Sequence, residues 1–208
     1  MNSLLRLFSE DVDFTSILSG IRQGMREQLV SGLAGSSKQI LIAALHTELQ
    51  RPIMIVTHNM FAAQKIVEDL NECLPTGEKA LLYPANELMV TESAFSSPDI
   101  LAQRIEVLTR LAEGYRGIIV APYAGVRKLL PPKQIFASGR LFLRVGETLP
   151  METVMLRLSE LGYERVERVE QKGEMSVRGG IVDVYPLTSD RAYRMEWFDD
   201  EIDSIRTF

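Results

Sequence analysis

Hydrophobic positions along the first 130 residues fall in short blocks that switch between two periods. Gln28-Leu29-Val30 is a brief apolar run before Gly32 and Gly35, read as a strand. From Ser36 to Leu49, residues Ile40, Leu41, Ala44, Leu45 and Leu49 recur at helical spacing. Pro52 opens IMIVT, an unbroken run of the kind buried in a parallel sheet. Asn59 is a suitable N-cap for a helix whose apolar face carries Ala63, Ile66, Val67, Leu70, Cys73 and Leu74. Ala80 to Tyr83 reads as a strand. Pro98-Asp99 starts a helix with Ile100, Leu101, Ile105, Leu108, Leu111 and Ala112 on one side, stopped by Gly114. Gly117 to Ala121 is a fourth strand. Repeated units of this kind predict an α/β domain, a parallel sheet with helices on both faces.

The pattern changes after Pro131-Pro132. Leu141 to Val145 reads as a strand, and Met151 to Leu161 as a helix closed by Gly162. Tyr163–Val169 and Glu174–Tyr185 read as two antiparallel strands joined by a turn at Lys172-Gly173. The tail gives a strand, a turn at Asp199-Asp200 and the start of another strand, which suggests part of a longer protein. The expected organisation is an α/β domain over 1–132, a small α+β domain over 133–188, and strands over 189–208 that return to the first domain.

Composition narrows the chemistry. The 208 residues carry 23 basic and 28 acidic side chains, a net charge of −5. The division at Pro132 leaves 12 basic against 14 acidic residues before it and 11 against 14 after it, so neither part has the basic excess of a phosphate-gripping module. One cysteine excludes an internal disulfide, and Cys73 on an apolar helix face reads as a core thiol rather than a nucleophile. Two histidines, His46 and His58, make no zinc set. The N-terminus lacks a basic n-region, and no apolar run approaches membrane length. A cytoplasmic protein is expected.

The most suggestive loop is Gly32 to Gln39, GLAGSSKQ, ahead of a helix. A phosphate-binding loop reads G-x-x-x-x-G-K-[ST], its glycines allowing backbone N–H groups to curl round phosphate and its hydroxyl ligating magnesium. Gly32 and Lys38 fit. Ser37 replaces the second glycine, and Gln39 replaces the hydroxyl with a neutral amide, a poor ligand for a hard cation. None of the candidate strands of this part ends in an acid. Gly32, Gly35, Ser37, Lys38 and Gln39 therefore read as a plain junction or a decayed site, with weak anion binding the remaining alternative. Glu196, Asp199, Asp200, Glu201 and Asp203 invite a metal reading, but hairpin acids more often form a solvated turn. No G-x-G-x-x-G is present to support a dinucleotide enzyme.

Two stretches are more specific: GEMSVRGGIVDVYP over 173–186 and RMEWFDDEIDSIR over 194–206. They closely resemble a segment of the bacterial transcription-repair coupling factors (Mfd), and more loosely the excision-repair protein UvrB. The decayed loop, PIMIVTHN (52–59) and VAPYAGVRKLLPP (120–132) extend the resemblance over the whole chain.

The resemblance implies a helicase-like α/β domain with a degenerate P-loop, interrupted by a small α+β domain with an antiparallel hairpin. It implies a non-catalytic module, needing no cofactor, that recruits UvrA to RNA polymerase stalled at DNA damage. The motor and the contacts to RNA polymerase and DNA would lie C-terminal to this chain, and other domains would mask the UvrA face.

In UvrB that face uses arginines of the small domain's hairpin. Matching Y-E-R and R-G carries two onto Arg165 and Arg178, and a third falls on Ser176, where the contact must differ. Ser176 and Arg178 share a strand face, and Arg168 has the opposite parity to Arg165. A purely solvated face, with the arginines paired to Glu164, Glu167 or Glu174, remains open on the residues alone. The alternative function is a nucleotide-dependent damage-binding domain like UvrB itself. Against it, the 83–99 region is short and holds only Tyr83 and Phe95 as aromatics, too few for a DNA-inserting hairpin.

Overall fold

Helix starts and buried stripes organise the first part of the chain. The computed structural model describes residues 10–85, 98–127 and 129–208. The expectation for residues 83–99 lies largely outside these. Helix α1 (Val12–Arg22) begins where Asp11 Oδ1 accepts from the N–H groups of Asp13 (2.8 Å) and Phe14 (3.1 Å), satisfying two otherwise unpaired donors. Helix α2 spans Ser37–Leu49, strand β1 Ile53–Thr57 and helix α3 Met60–Cys73, the last capped by Asn59 Oδ1 on Ala62 N–H at 2.8 Å. Strand β2 (Leu81–Leu82), helix α4 (Pro98–Ala112), strand β3 (Ile118–Pro122) and the short α5 (Tyr123–Val126) follow.

The chain divides into two units, 1–92 with 110–129, and 93–109 with 130–208. In the first, three parallel strands lie in the order β1-β3-β2. Phe14 and Leu18 from α1, Leu41 and Ala44 from α2, Ala63 and Leu70 from α3, and Ile118 and Val120 from β3 form its core. Two expectations need correction. Residues 28–30 form no strand: Leu29 is 96% exposed, because an apolar run without a neighbouring strand has nothing to pair with. Strand β1 is not buried on both faces either. Ile53 and Ile55 pack on the core while Met54 and Val56 are exposed, whereas β3 is buried at every position.

The second unit adds the short α6 (Lys133–Ser138) and helix α7 (Met151–Glu160) to five strands: β4 (Glu164–Arg165), β5 (Glu174–Arg178), β6 (Ile181–Val184), β7 (Tyr193–Phe198) and β8 (Glu201–Thr207). They form one sheet in sequence order. Val154 and Leu158 of α7 pack on Met175, Val182, Val184 and Met195, one face of the sheet. Trp197 joins this face, its Nε1–H donating to the Leu149 carbonyl at 2.8 Å.

Four further differences follow. The hairpin turn is at Gly179-Gly180, where Gly179 sits at φ +61°, and it splits Glu174–Tyr185 into β5 and β6. The turn at Lys172-Gly173 exists, but β4 and β5 run parallel across it, with Glu164 opposite Glu174 and Arg165 opposite Met175. Leu141–Val145 forms no strand, although Leu141 and Leu143 still pack on the core. Finally, 189–208 does not return to the first unit, because β7 and β8 pair onto β6 within the second.

Candidate partner-binding cleft on the second unit

Alternation along β5, β6 and β7 sends Met175, Val177, Val182, Val184 and Met195 to the core, which leaves Arg178, Asp183 and Arg194 on the opposite face. Asp183 and Arg194 are directly opposed in register. Arg194 meets the carboxylate side-on: Nε–H donates to Oδ1 and Nη2–H to Oδ2, both at 2.7 Å. Arg178 Nη2–H donates to the same Oδ2 at 3.0 Å.

The Asp183 side chain is only 4% exposed, against 29% for Arg194 and 58% for Arg178. A buried carboxylate without partners would be costly, and two guanidinium groups offset that cost. The Arg194 hydrogen bonds hold its carboxyl below the ordinary range, helped by Arg178 and opposed by burial. Arg194 is reciprocally held in its charged form, and its guanidinium lies 5.1 Å from the centre of the Phe208 ring. Arg168, Val169, Arg178, Asp183, Arg194 and Phe208 line a cleft of about 340 Å³. Three arginines and one aspartate therefore line the cleft, two of the arginines on the carboxylate, and the surplus of their charges is positive.

The structure separates the two arginines carried over by resemblance. Arg178 lines the cleft, whereas Arg165, opposite Met175, lies on the other face of the sheet at the exposed edge strand β4. Arg168 joins Arg178 instead. Of the acids thought available to pair with the arginines, Glu174 is otherwise engaged: its Oε2 accepts from the N–H groups of Glu170 (2.7 Å) and Gln171 (2.8 Å), closing the turn, and Arg178 pairs with Asp183. Ser176 is buried and donates to the Glu167 carbonyl at 2.8 Å. Asp183 and Arg194 are not among the sequence-predicted site residues; the turn at Gly179-Gly180 places Asp183 on the face of Arg178, and the β6–β7 register brings Arg194 beside it.

The Gly32–Gln39 loop is closed on itself. Gly32 and Gly35 take left-handed backbones, at φ +80° and +54°. Ser37 Oγ donates to the Ala34 carbonyl at 2.7 Å, and Lys38 is exposed. Gln39 is buried, its Nε2 donating to Asp69 Oδ2 of α3 at 3.1 Å. The side chain at the magnesium-ligand position is thus part of the packing between α2 and α3. Burial, with Asp69 and Glu72 nearby, pushes the Cys73 thiol up, away from a reactive thiolate. The acids of the last hairpin have local roles: Glu196 accepts from Ser204 and Arg206, and Asp199 occupies the turn at φ +56°. Among the described residues, no group of three or more potential ligands could hold a metal, and no helix is long and apolar enough to cross a membrane.

Residues 141–208 match the family described as UvrB interaction domain, a span that contains every residue of the cleft. Over all 208 residues the chain is 43% identical to the transcription-repair-coupling factor of Bacillus subtilis (strain 168) and 35% identical to that of Staphylococcus aureus (strain USA300). Over its whole length the chain is similar to one region of the transcription-repair-coupling factors, and its C-terminal part matches the UvrB interaction domain. The chain spans 18% of the length of these relatives. The span that matches the UvrB interaction domain contains all five strands of the second unit's sheet. The matched span runs through β7 and β8, as does the second unit itself.

Proposed function

We propose that this region is a non-catalytic module that recruits UvrA, bringing excision repair to RNA polymerase stalled at DNA damage. The observation that carries the reading is the Arg178–Asp183–Arg194 cluster, an electropositive cleft inside the UvrB interaction domain. Fully or partly desolvated arginines are the anchors that such interfaces favour. Arg178 engages UvrA from the cleft and Arg165 from the exposed edge of the sheet. RNA polymerase and DNA are engaged through other parts of the longer family proteins, which also mask the UvrA face until the molecule rearranges. The module works in the cytoplasm, alongside those partners.

A nucleotide-dependent damage sensor like UvrB is disfavoured by the loop: Gln39 is committed to Asp69 and Ser37 to Ala34. Gel filtration with purified UvrA tests the choice. The chain is expected to co-elute with UvrA, and Arg178→Glu or Arg165→Glu to abolish co-elution. Failure of the wild-type chain to co-elute, together with MgATP-dependent retention of damaged duplex, would instead support the UvrB-like reading.

A further inference from the structure

We propose that Asp183 is the positioning residue of the partner site: it sets the guanidinium groups of Arg178 and Arg194 so that their remaining N–H donors face acceptor oxygens of the partner. The inference rests on the reading of this region as the UvrA-recruiting module.

A carboxylate in the middle of the central strand is an expensive choice for stability alone. Buried ion pairs can often be replaced by apolar groups of similar volume without loss. Asp183 is nevertheless among the most buried polar residues of the unit, and its two oxygens accept three N–H bonds. The consequences for the two arginines differ in a way that suits recognition. Arg194 is held at two points by the carboxylate and stacked on Phe208, which fixes the plane of its guanidinium. Arg178 is held at one point and is more than half exposed, with most of its five donors directed elsewhere. Long side chains lose rotamer freedom when a partner immobilises them, and a scaffold that orders them beforehand reduces that loss. Arg168 lines the same cleft and adds to the positive surplus. Asp183 does not face the partner in this scheme, since both its oxygens are turned to the arginines.

A double-mutant cycle read by UvrA affinity tests the proposal, using the 208-residue chain with Asp183→Asn, Arg178→Ala and the pair together. Asp183→Asn is expected to weaken binding by about tenfold or more. The loss should be clearly smaller in the Arg178→Ala background, because only Arg194 is then left for Asp183 to position. A purely structural role would instead give the same fold-loss in both backgrounds, and that result would overturn the proposal. Arg194→Lys guards against poor folding of Asp183→Asn. Lysine keeps the charge but cannot make the side-on two-point contact, so affinity should fall while the melting temperature changes little. Wild-type affinity in Arg194→Lys and Asp183→Asn, with binding lost in Arg178→Ala, would reject positioning while leaving the UvrA site in place. Absence of wild-type binding would reject both.

Discussion

Asp183 and Arg194 face each other across β6 and β7, and the arginine grips both carboxylate oxygens at 2.7 Å. This pair turns the solvent side of an ordinary antiparallel sheet into a fixed, positively charged surface. It also gives the second unit a specific dependence on pH.

The folded-state carboxyl of Asp183 titrates below its ordinary value of 3.8. Its contribution is therefore complete above that value and is lost as pH falls through the lower, folded value. Asp183→Asn should cost about 2 kcal/mol near neutral pH, and the difference from wild type should close under strongly acid conditions. Urea unfolding followed by fluorescence of Trp197, the sequence's only tryptophan and a residue of this unit, measures it. A difference that grows on acidification would contradict the sign.

The hairpin glycines should respond differently to substitution. A Cβ on Gly180 would lie 3.0 Å from the Trp197 carbonyl oxygen, a backbone atom of the paired strand. Gly180→Ala should thus destabilise by about 1–3 kcal/mol. Gly179 has open space but a left-handed backbone at φ +61°, so Gly179→Asn should be better tolerated than Gly179→Ala. Thermal melts of the three variants check the order.

The loop from Gly32 to Gln39 should not bind nucleotide productively. A ligand at 100 times its Kd would stabilise the native state by about 2.7 kcal/mol. We expect no shift of melting temperature with millimolar MgATP. A rise that disappears in Lys38→Ala would show that the loop retains a phosphate site.

Much of the fold was legible because its signals are local. Asn59 and the stripe from Ala63 to Leu70 define α3 without reference to the rest of the chain. What failed depended on pairing. Leu29-Val30 has the composition of a strand and no neighbour, and Leu141 and Leu143 alternate correctly but their backbone joins no ladder. Reading Glu174–Tyr185 as one strand overlooks a switch in apolar parity, from Met175 and Val177 to Val182 and Val184 across Gly179-Gly180, and with the turn it loses the register that opposes Asp183 to Arg194. Arg178 was found through resemblance. Its partners became visible only once the strands were in register.

The central claim is tested most directly by a calorimetric titration of the chain into purified UvrA, with wild type and Arg178→Glu side by side. We expect saturable wild-type binding, weakened by about 30-fold or more in the variant, with the Trp197 unfolding transition essentially unchanged. Equal affinity in the two proteins, or no binding by the wild type, would contradict the assignment of this cleft to UvrA.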